Sequence, residues 1–154
     1  AMMLQAGFET RVFYTGFGGF DTHAAQGKAI GRHPDLLEDL DEALKGFADD
    51  CKAMGIWQNC VVVVISEFGR RNFENGSAGT DHGGGNVVLL SGGAIQPGLH
   101  GDPLTDNDLA QPFLPWTVDF RAIYSNVLEQ HLGFADARQV FGEAYSSPTS
   151  VGVV

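Results

Sequence analysis

The sequence predicts an α/β fold whose sheet is mostly parallel and includes one antiparallel strand. Three stretches rich in β-branched and aromatic residues, 10–17, 60–65 and 86–90, have the composition of strands. A strongly periodic helical stretch separates the first two strands, and a glycine-rich loop separates the last two. A helix between two strands is typical of a right-handed parallel crossover, whereas a loop favours an antiparallel return.

The first half of the chain is predicted to alternate strand, helix and strand. Glycines follow the strand at 10–17 and allow a tight turn. The helix is predicted over 34–54, because apolar residues recur there at spacings of three and four, and Gly55 suits the left-handed position after its end. The run 60–65 is apolar throughout, which is typical of a central strand covered on both faces.

The second half is predicted to be mainly loop and helix. Proline, aspartate and glycine concentrate over 95–115 and indicate a surface loop. A helix is predicted over 118–132, with Thr117 as its N-cap and Gly133 as its stop. A short helix is expected over 135–141.

The length of 154 residues and the composition fit one domain. Apolar residues make up 44% of the chain and aromatic residues 10%, which is enough to build a core. We expect residues 1–145 to form this domain and residues 146–154 to be a flexible tail. The chain opens on what resembles the end of a helix, so we expect it to be a piece of a longer protein.

Charge and hydropathy argue against two classes of partner. Nine basic against nineteen acidic residues give a formal charge of −10, which disfavours nucleic acids and anionic lipid. The longest apolar run, 60–65, is far shorter than the roughly 20 residues of a membrane-spanning helix. No basic region followed by an apolar one opens the chain as a signal peptide would. We therefore expect no nucleic acid and no membrane span.

The two cysteines are predicted to be free thiols. Cys51 lies on the apolar face of the predicted helix and Cys60 at the start of a predicted strand. Free cysteine is among the most buried residue types. A disulfide between them remains the alternative in an oxidising compartment.

Three short clusters of acidic and imidazole side chains lie beside the predicted strands. Their candidate metal ligands are Asp21, His23, Glu67, Asp81 and His82. The parallel crossover would bring the first two clusters to one edge of the sheet, and the antiparallel return would bring the third there. Carboxylate oxygen and neutral imidazole nitrogen are ligands of zinc, manganese and iron. The sequence therefore predicts a divalent metal site, with zinc as the first choice and manganese or iron as alternatives.

Two further residues are candidates for catalytic roles. Arg70 follows the second cluster, and its forked donors suit a tetrahedral oxyanion. Thr22 lies within the first cluster and offers a hydroxyl, although nothing in the sequence activates it as a nucleophile. Backbone N–H groups of the glycine run 83–85 are further candidates for anion binding.

Each cluster also has a structural interpretation. The first is typical of an Asx turn with an exposed imidazole. Glu67 also suits a helix cap or an ion pair with a following arginine. The pair Asp81–His82 also suits a hydrogen-bonded dyad that organises its loop. Convergence of all three clusters would favour the metal site.

A series of ordered motifs resembles that of the bacterial domain-of-unknown-function family 1501. The motifs are GFDTHAAQ at 19–26, SEFGR at 66–70, GTDHG at 79–83 and DFR at 119–121. Members of this family are similar to the alkaline phosphatase-like superfamily. The resemblance therefore implies a three-layer α/β/α sandwich with metal ligands at one sheet edge, of which this chain would be the C-terminal part. It also implies an exported, periplasmic or extracellular protein.

The resemblance implies metal-dependent hydrolysis of phosphate or sulfate esters. Asp21 and His82 take the positions of ligands of the superfamily's first metal ion. The second metal ion is usually bound by an adjacent aspartate and histidine, and these positions are Glu67 and Phe68 here. The superfamily's nucleophile has no matching motif, so the activity would need an upstream half. The implied partner is a small anionic ester or a sulfated or phosphorylated glycan. A further possibility is a structural half-domain whose exposed sheet edge pairs with its missing N-terminal half or with another copy of the chain. The alternative is a non-catalytic exported module that binds polysaccharide or anions.

Overall fold

The computed structural model describes residues 1–146 and 151–154. Its helices are α1 (Met2–Gln5), α2 (Arg32–Ala53), α3 (Asp106–Leu109), α4 (Phe120–Asn126) and α5 (Arg138–Phe141), with a 3₁₀ turn at Trp57–Asn59 and a π-helical turn at Val127–His131. Its strands are β1 (Val62–Val64), β2 (Gly69–Arg70), β3 (His82–Gly83) and β4 (Leu89–Ser91).

The long helix α2 confirms the clearest sequence prediction. It begins two residues before the predicted start, so that Pro34 lies within the first turn, where its missing N–H removes no helical hydrogen bond. Asp35 in the first turn and Lys52 in the last turn each complement the helix dipole. Gly55 follows the end of α2 with a φ of 71°, the left-handed conformation expected after a helix.

The predicted three-layer α/β/α sandwich with a mostly parallel sheet is wrong for this chain. The strands form two separate two-stranded antiparallel ladders, β1 with β4 and β2 with β3. The antiparallel return itself is confirmed, because Val63 of β1 lies opposite Leu90 of β4. No parallel pair occurs in the part of the chain that the structure describes.

The missing parallel partner is the predicted strand at 10–17. All residues of this segment are exposed, and Tyr14 is 95% exposed. Among the described residues, none of them pairs with a strand or forms a backbone–backbone hydrogen bond. The β-propensity of valine and aromatic residues reflects packing on a half-buried pleated surface. Without such a surface, composition alone does not make residues 10–17 a strand.

The helices near the C-terminus are shorter than predicted. The helix expected over 118–132 is α4 followed by the π-helical turn, and its N-cap is Asp119, whose side chain accepts from the Arg121 N–H. The helix expected over 135–141 is reduced to α5. Of the predicted tail, 147–150 lie outside the described residues. Val153 is buried, and its N–H donates to Asn126 Oδ1 at 3.1 Å.

The buried apolar core is small. Among the described residues its members are Cys51, Ala122, Ala137, Tyr145 and Val153. Cys51 and Cys60 are free thiols, and burial raises the pKa of the Cys51 thiol. Within 1–146 and 151–154, none of the helices has the length and hydropathy that crossing a membrane requires.

Candidate metal centre

Two segments that are distant in sequence are held together by backbone hydrogen bonds. The Gln26 N–H donates to the Ala78 carbonyl at 2.9 Å, and two further backbone hydrogen bonds join residue 25 to residue 77 and residue 80 to residue 22. Beside them, the β2–β3 ladder sets His82 opposite Arg70. The ring of Phe68 stacks on the His82 imidazole, with centroids 3.7 Å apart. These contacts bring the first and third predicted clusters to one place, beside Phe68 and Arg70 of the second.

Asp21, His23 and His82 converge on a common point. His82 Nε2 lies 3.0 Å and His23 Nε2 lies 3.1 Å from Asp21 Oδ1, and the two imidazole nitrogens are 2.9 Å apart. The side chains of Asp21, His23 and His82 are 55%, 47% and 49% exposed, so the triangle of ligand atoms is open to solvent. Three of the five predicted ligands therefore meet, and an exogenous ligand has access to them.

The spacing of the three atoms suits a face of an octahedral metal site. With metal–ligand bonds of about 2.1 Å, ligand atoms at right angles are about 3.0 Å apart, whereas tetrahedral ligands are about 3.4 Å apart. The observed separations of 2.9 to 3.1 Å match the first value. Two imidazoles and one carboxylate on a single face are a ligand set that leaves other coordination positions free.

No arrangement of protons satisfies all three atoms at once. A carboxylate oxygen only accepts, and each Nε2 is a donor or an acceptor according to its tautomer. If both Nε2 atoms carry hydrogen, they oppose each other at 2.9 Å. If either is bare, its lone pair faces that of Asp21 Oδ1. A cation bound by all three atoms would remove this conflict, so the chemistry of the donor set fits a metal ion.

Asp81 lies behind His23 instead of beside the other ligand atoms. Its Oδ1 is 3.5 Å from His23 Nδ1, the ring nitrogen that points away from the triangle. Asn75 Nδ2 donates to Asp81 Oδ1 and to the His23 carbonyl, each at 2.9 Å. Sequence reasoning missed Asn75, although the Asn-Gly-Ser stretch at 75–77 is a turn signal.

Arg70 faces inward and supports the site. Its Nη2 donates to Asp21 Oδ1 and, at 3.1 Å, to the Phe20 carbonyl, while Nη1 donates to the Thr80 carbonyl at 2.6 Å. The side chain is 20% exposed. Its N–H groups therefore hold together the two segments that carry the ligands. Any contact with an anion would use the guanidinium N–H groups that these bonds leave free.

The candidate nucleophile Thr22 is buried at 3% exposure. Its hydroxyl donates to Gln26 Oε1 at 3.0 Å, and the Thr80 hydroxyl donates to the same oxygen at 2.8 Å. Gln26 thus joins the two segments through both hydroxyls. These contacts give Thr22 a structural role in the arrangement described.

Two other predicted features lie away from the convergence point. Glu67 is exposed and is not among the three converging groups, whereas its neighbour Phe68 contacts His82. In the glycine run, a Cβ at Gly84 or Gly85 would lie 2.8 Å from a carbonyl oxygen of the segment 114–115. These glycines permit close backbone packing there.

Both carboxylates near the centre are held in their ionised form. Hydrogen bonding to His82 is the main cause that lowers the pKa of Asp21 below its usual 3.8, and the interactions with His23 and with the Arg70 guanidinium act in the same direction. The hydrogen bond from Asn75 is the main cause that lowers the pKa of Asp81. Ionised carboxylates are the state that binds metal.

The comparisons with known proteins assign a family. Residues 1–142 match the family described as a protein of unknown function, DUF1501. The chain belongs to this family. No curated protein and no solved structure matches the chain. The predicted family resemblance is thereby confirmed. The DUF1501 description names no reaction, so the similarity to alkaline phosphatase-like proteins and the expected export stay predictions.

Proposed function

We propose that Asp21, His23 and His82 bind one divalent metal ion. The observation that carries the proposal is the convergence of one carboxylate oxygen and two imidazole nitrogens within 3.1 Å of one another. The chemistry of these donors suits zinc, manganese and iron(II). The right-angled spacing favours manganese or iron over tetrahedral zinc. Glu67 has no part in this proposal, and Asp81 supports a ligand from behind.

We propose that the site accepts an anionic ligand, with a phosphate or sulfate ester as the first candidate. Asp21 and Asp81 are balanced by Arg70 and Arg71, so that a divalent cation would make the site positively charged. When bound, the metal would polarise an ester oxygen and lower the pKa of a water ligand. Arg70 would hold Asp21 in place, and the exposed triangle would give the ester access.

A second candidate function is anion or polysaccharide binding without catalysis. The observation that favours it is the state of the nearby hydroxyls, because those of Thr22 and Thr80 both donate to Gln26. A nucleophile needs a base that takes its proton. Gln26, an amide, does not serve as one. Hydrolysis by this chain would therefore depend on a water molecule or on a group outside the described residues.

Metal titration of the purified protein tests the site. We expect the parent to bind one equivalent of Mn²⁺ or Zn²⁺ by calorimetry and elemental analysis, and His82→Ala and Asp21→Asn to lose this binding. His100→Ala is the matched control, because His100 lies in an exposed loop and contacts the Gln96 carbonyl. Parent protein that binds neither metal, nor Fe²⁺ under anaerobic conditions, would falsify the metal site.

Turnover then separates the two candidate functions. Metal-loaded protein is incubated with p-nitrophenyl phosphate and p-nitrophenyl sulfate, and binding of inorganic phosphate and sulfate is measured in parallel. Release of p-nitrophenol that His82→Ala abolishes and His100→Ala retains would support the hydrolase. Metal-dependent binding of the anions without release would support the binding module.

A further inference from the structure

The side chain of Asn75 lies next to the proposed metal centre and uses both its oxygen and its NH₂ group in hydrogen bonds, none of them to the three ligand atoms. Its Oδ1 accepts from the N–H groups of Ser77 at 2.9 Å and Gly79 at 3.1 Å. Its Nδ2 donates to the His23 carbonyl and to Asp81 Oδ1, each at 2.9 Å. One amide group therefore contacts the backbone of a proposed ligand and the carboxylate behind that ligand's ring.

The position of Asp81 bears on the tautomer of His23. Asp81 Oδ1 lies 3.5 Å from His23 Nδ1 and accepts from Asn75 Nδ2. A carboxylate only accepts, so it favours the tautomer in which Nδ1 carries the hydrogen. In that tautomer the lone pair of His23 is on Nε2, the atom of the triangle. A carboxylate behind a metal-binding histidine fixes the orientation and basicity of the imidazole in this way.

We infer that Asn75 is a positioning residue of the metal centre, which acts through Asp81 to present the Nε2 lone pair of His23. The inference rests on the proposed metal site and adds two residues that do not themselves touch the metal. Asp81 is then not a ligand, in contrast to the prediction from the sequence. Because Asn75 acts on His23 through Asp81, removing either side chain should weaken metal binding nearly as much as removing both.

Cobalt(II) is the probe for this inference, because its visible absorption reports the ligands as well as the affinity. The variants are Asn75→Ala, Asp81→Asn and the double variant, with Asp81→Glu as the conservative rescue. Asn72→Ala is the matched control, because Asn72 lies on the same loop but its side chain donates to the Leu109 carbonyl, away from His23. Circular dichroism checks that each variant is folded.

We expect Asn75→Ala and Asp81→Asn each to weaken Co²⁺ binding by about 10- to 100-fold, with an altered absorption spectrum. The double variant should bind Co²⁺ no more weakly than the single variant with the lower affinity. Asn72→Ala should match the parent, and Asp81→Glu should recover part of the affinity and the spectrum. If Asn75→Ala unfolds, Asp81→Asn decides, since it keeps the size of the side chain.

The outcomes separate this inference from the proposed function. Parent-like affinity and spectrum in Asp81→Asn would overturn the positioning role and leave the metal site intact. Weaker binding with an unchanged spectrum, equal in Asn72→Ala, would also overturn it, because it would show a general loosening of the loop. A parent that binds no Co²⁺ and no other divalent metal would remove the proposed site and the inference with it.

Discussion

A single oxygen, Asp21 Oδ1, has the largest number of contacts in the proposed site. It accepts from Arg70 and lies within 3.1 Å of both imidazole nitrogens. The lowered pKa of Asp21 keeps its carboxylate ionised to somewhat below pH 3.8, so this oxygen is charged at neutral pH, where a cation would bind. Arg70 and a cation can share it, because a carboxylate oxygen has two lone pairs.

At Gly79 the backbone of the segment 77–80 packs directly against the backbone of His23. A Cβ there would overlap the His23 carbonyl group. We expect Gly79→Ala to lower the free energy of unfolding by about 1–3 kcal/mol, the usual cost of overpacking. It should also weaken metal binding, because the ligand loop must move.

The control for this substitution is Gly76→Ala, since a Cβ at Gly76 has no neighbouring atom within 4 Å. Urea unfolding and Mn²⁺ titration measure both variants. Equal behaviour of the two alanine variants would contradict the close approach of Gly79 to His23.

The motif at 119–121 has a structural role outside the metal centre. The Arg121 guanidinium binds both oxygens of Asp119 and, as the main cause, lowers the pKa of that carboxyl. A lowered pKa in the folded state contributes stability that is present above about pH 3.8 and is lost as the pH falls through the lowered value.

Asp119→Asn tests this pH dependence. Asparagine keeps the acceptor that caps α4 and removes only the charge. We expect a small decrease in the free energy of unfolding at pH 7 that becomes smaller as the pH is lowered from 3.8 toward 2, measured by urea unfolding. The same deficit at pH 7 and at pH 2 would point to a lost cap instead of a lost ion pair.

Among the secondary-structure elements, the β1–β4 ladder depends on a glycine at its end. Gly92 has a φ of 154°, and a Cβ there would overlap the Cys60 carbonyl oxygen at the entrance to β1. Gly98 has a similar φ of 143° but no neighbour within 4 Å of its Cβ position. The two positions share the conformational constraint and differ in the steric one.

We therefore expect Gly92→Ala to destabilise the protein more than Gly98→Ala does, by about 1–3 kcal/mol of overpacking. Thermal and urea unfolding compare the two variants with the parent. A cost for Gly98→Ala equal to that for Gly92→Ala would mean that backbone conformation alone, and not the contact with β1, governs the substitution.

The molecule as a whole exposes much apolar surface for its size. The N-terminal segment contributes Val12 at 68% and Tyr14 at 95% exposure. Large exposed apolar patches are typical of surfaces that contact another polypeptide. The core is small partly because the apolar side chains of the segment 8–17 do not enter it and remain exposed to solvent.

We expect the isolated chain to enhance the fluorescence of anilinonaphthalene sulfonate and to self-associate at micromolar concentrations in sedimentation velocity. Val12→Lys should reduce both signals more than Leu99→Lys, a fully exposed residue in the proline-rich loop. A constant mass of 16.5 kDa at every concentration, without dye binding, would contradict this expectation.

The sequence by itself determined the features that are local. The spacing of apolar residues and the glycine at its end fixed α2, because a helix is formed by hydrogen bonds within one segment. The loop between 65 and 86 indicated the antiparallel return that pairs β1 with β4. Composition near each strand also identified Asp21, His23 and His82 as ligand candidates.

Only the tertiary structure decided which of those candidates meet. Strand pairing and site geometry depend on contacts between distant residues, which local composition does not encode, so residues 10–17 could resemble a strand and yet remain unpaired. For the same reason Glu67 and Asp81 could not be distinguished from His82 along the chain. Asn75 had no chemical signature of its own, and its importance follows from where the fold of its loop places one amide group.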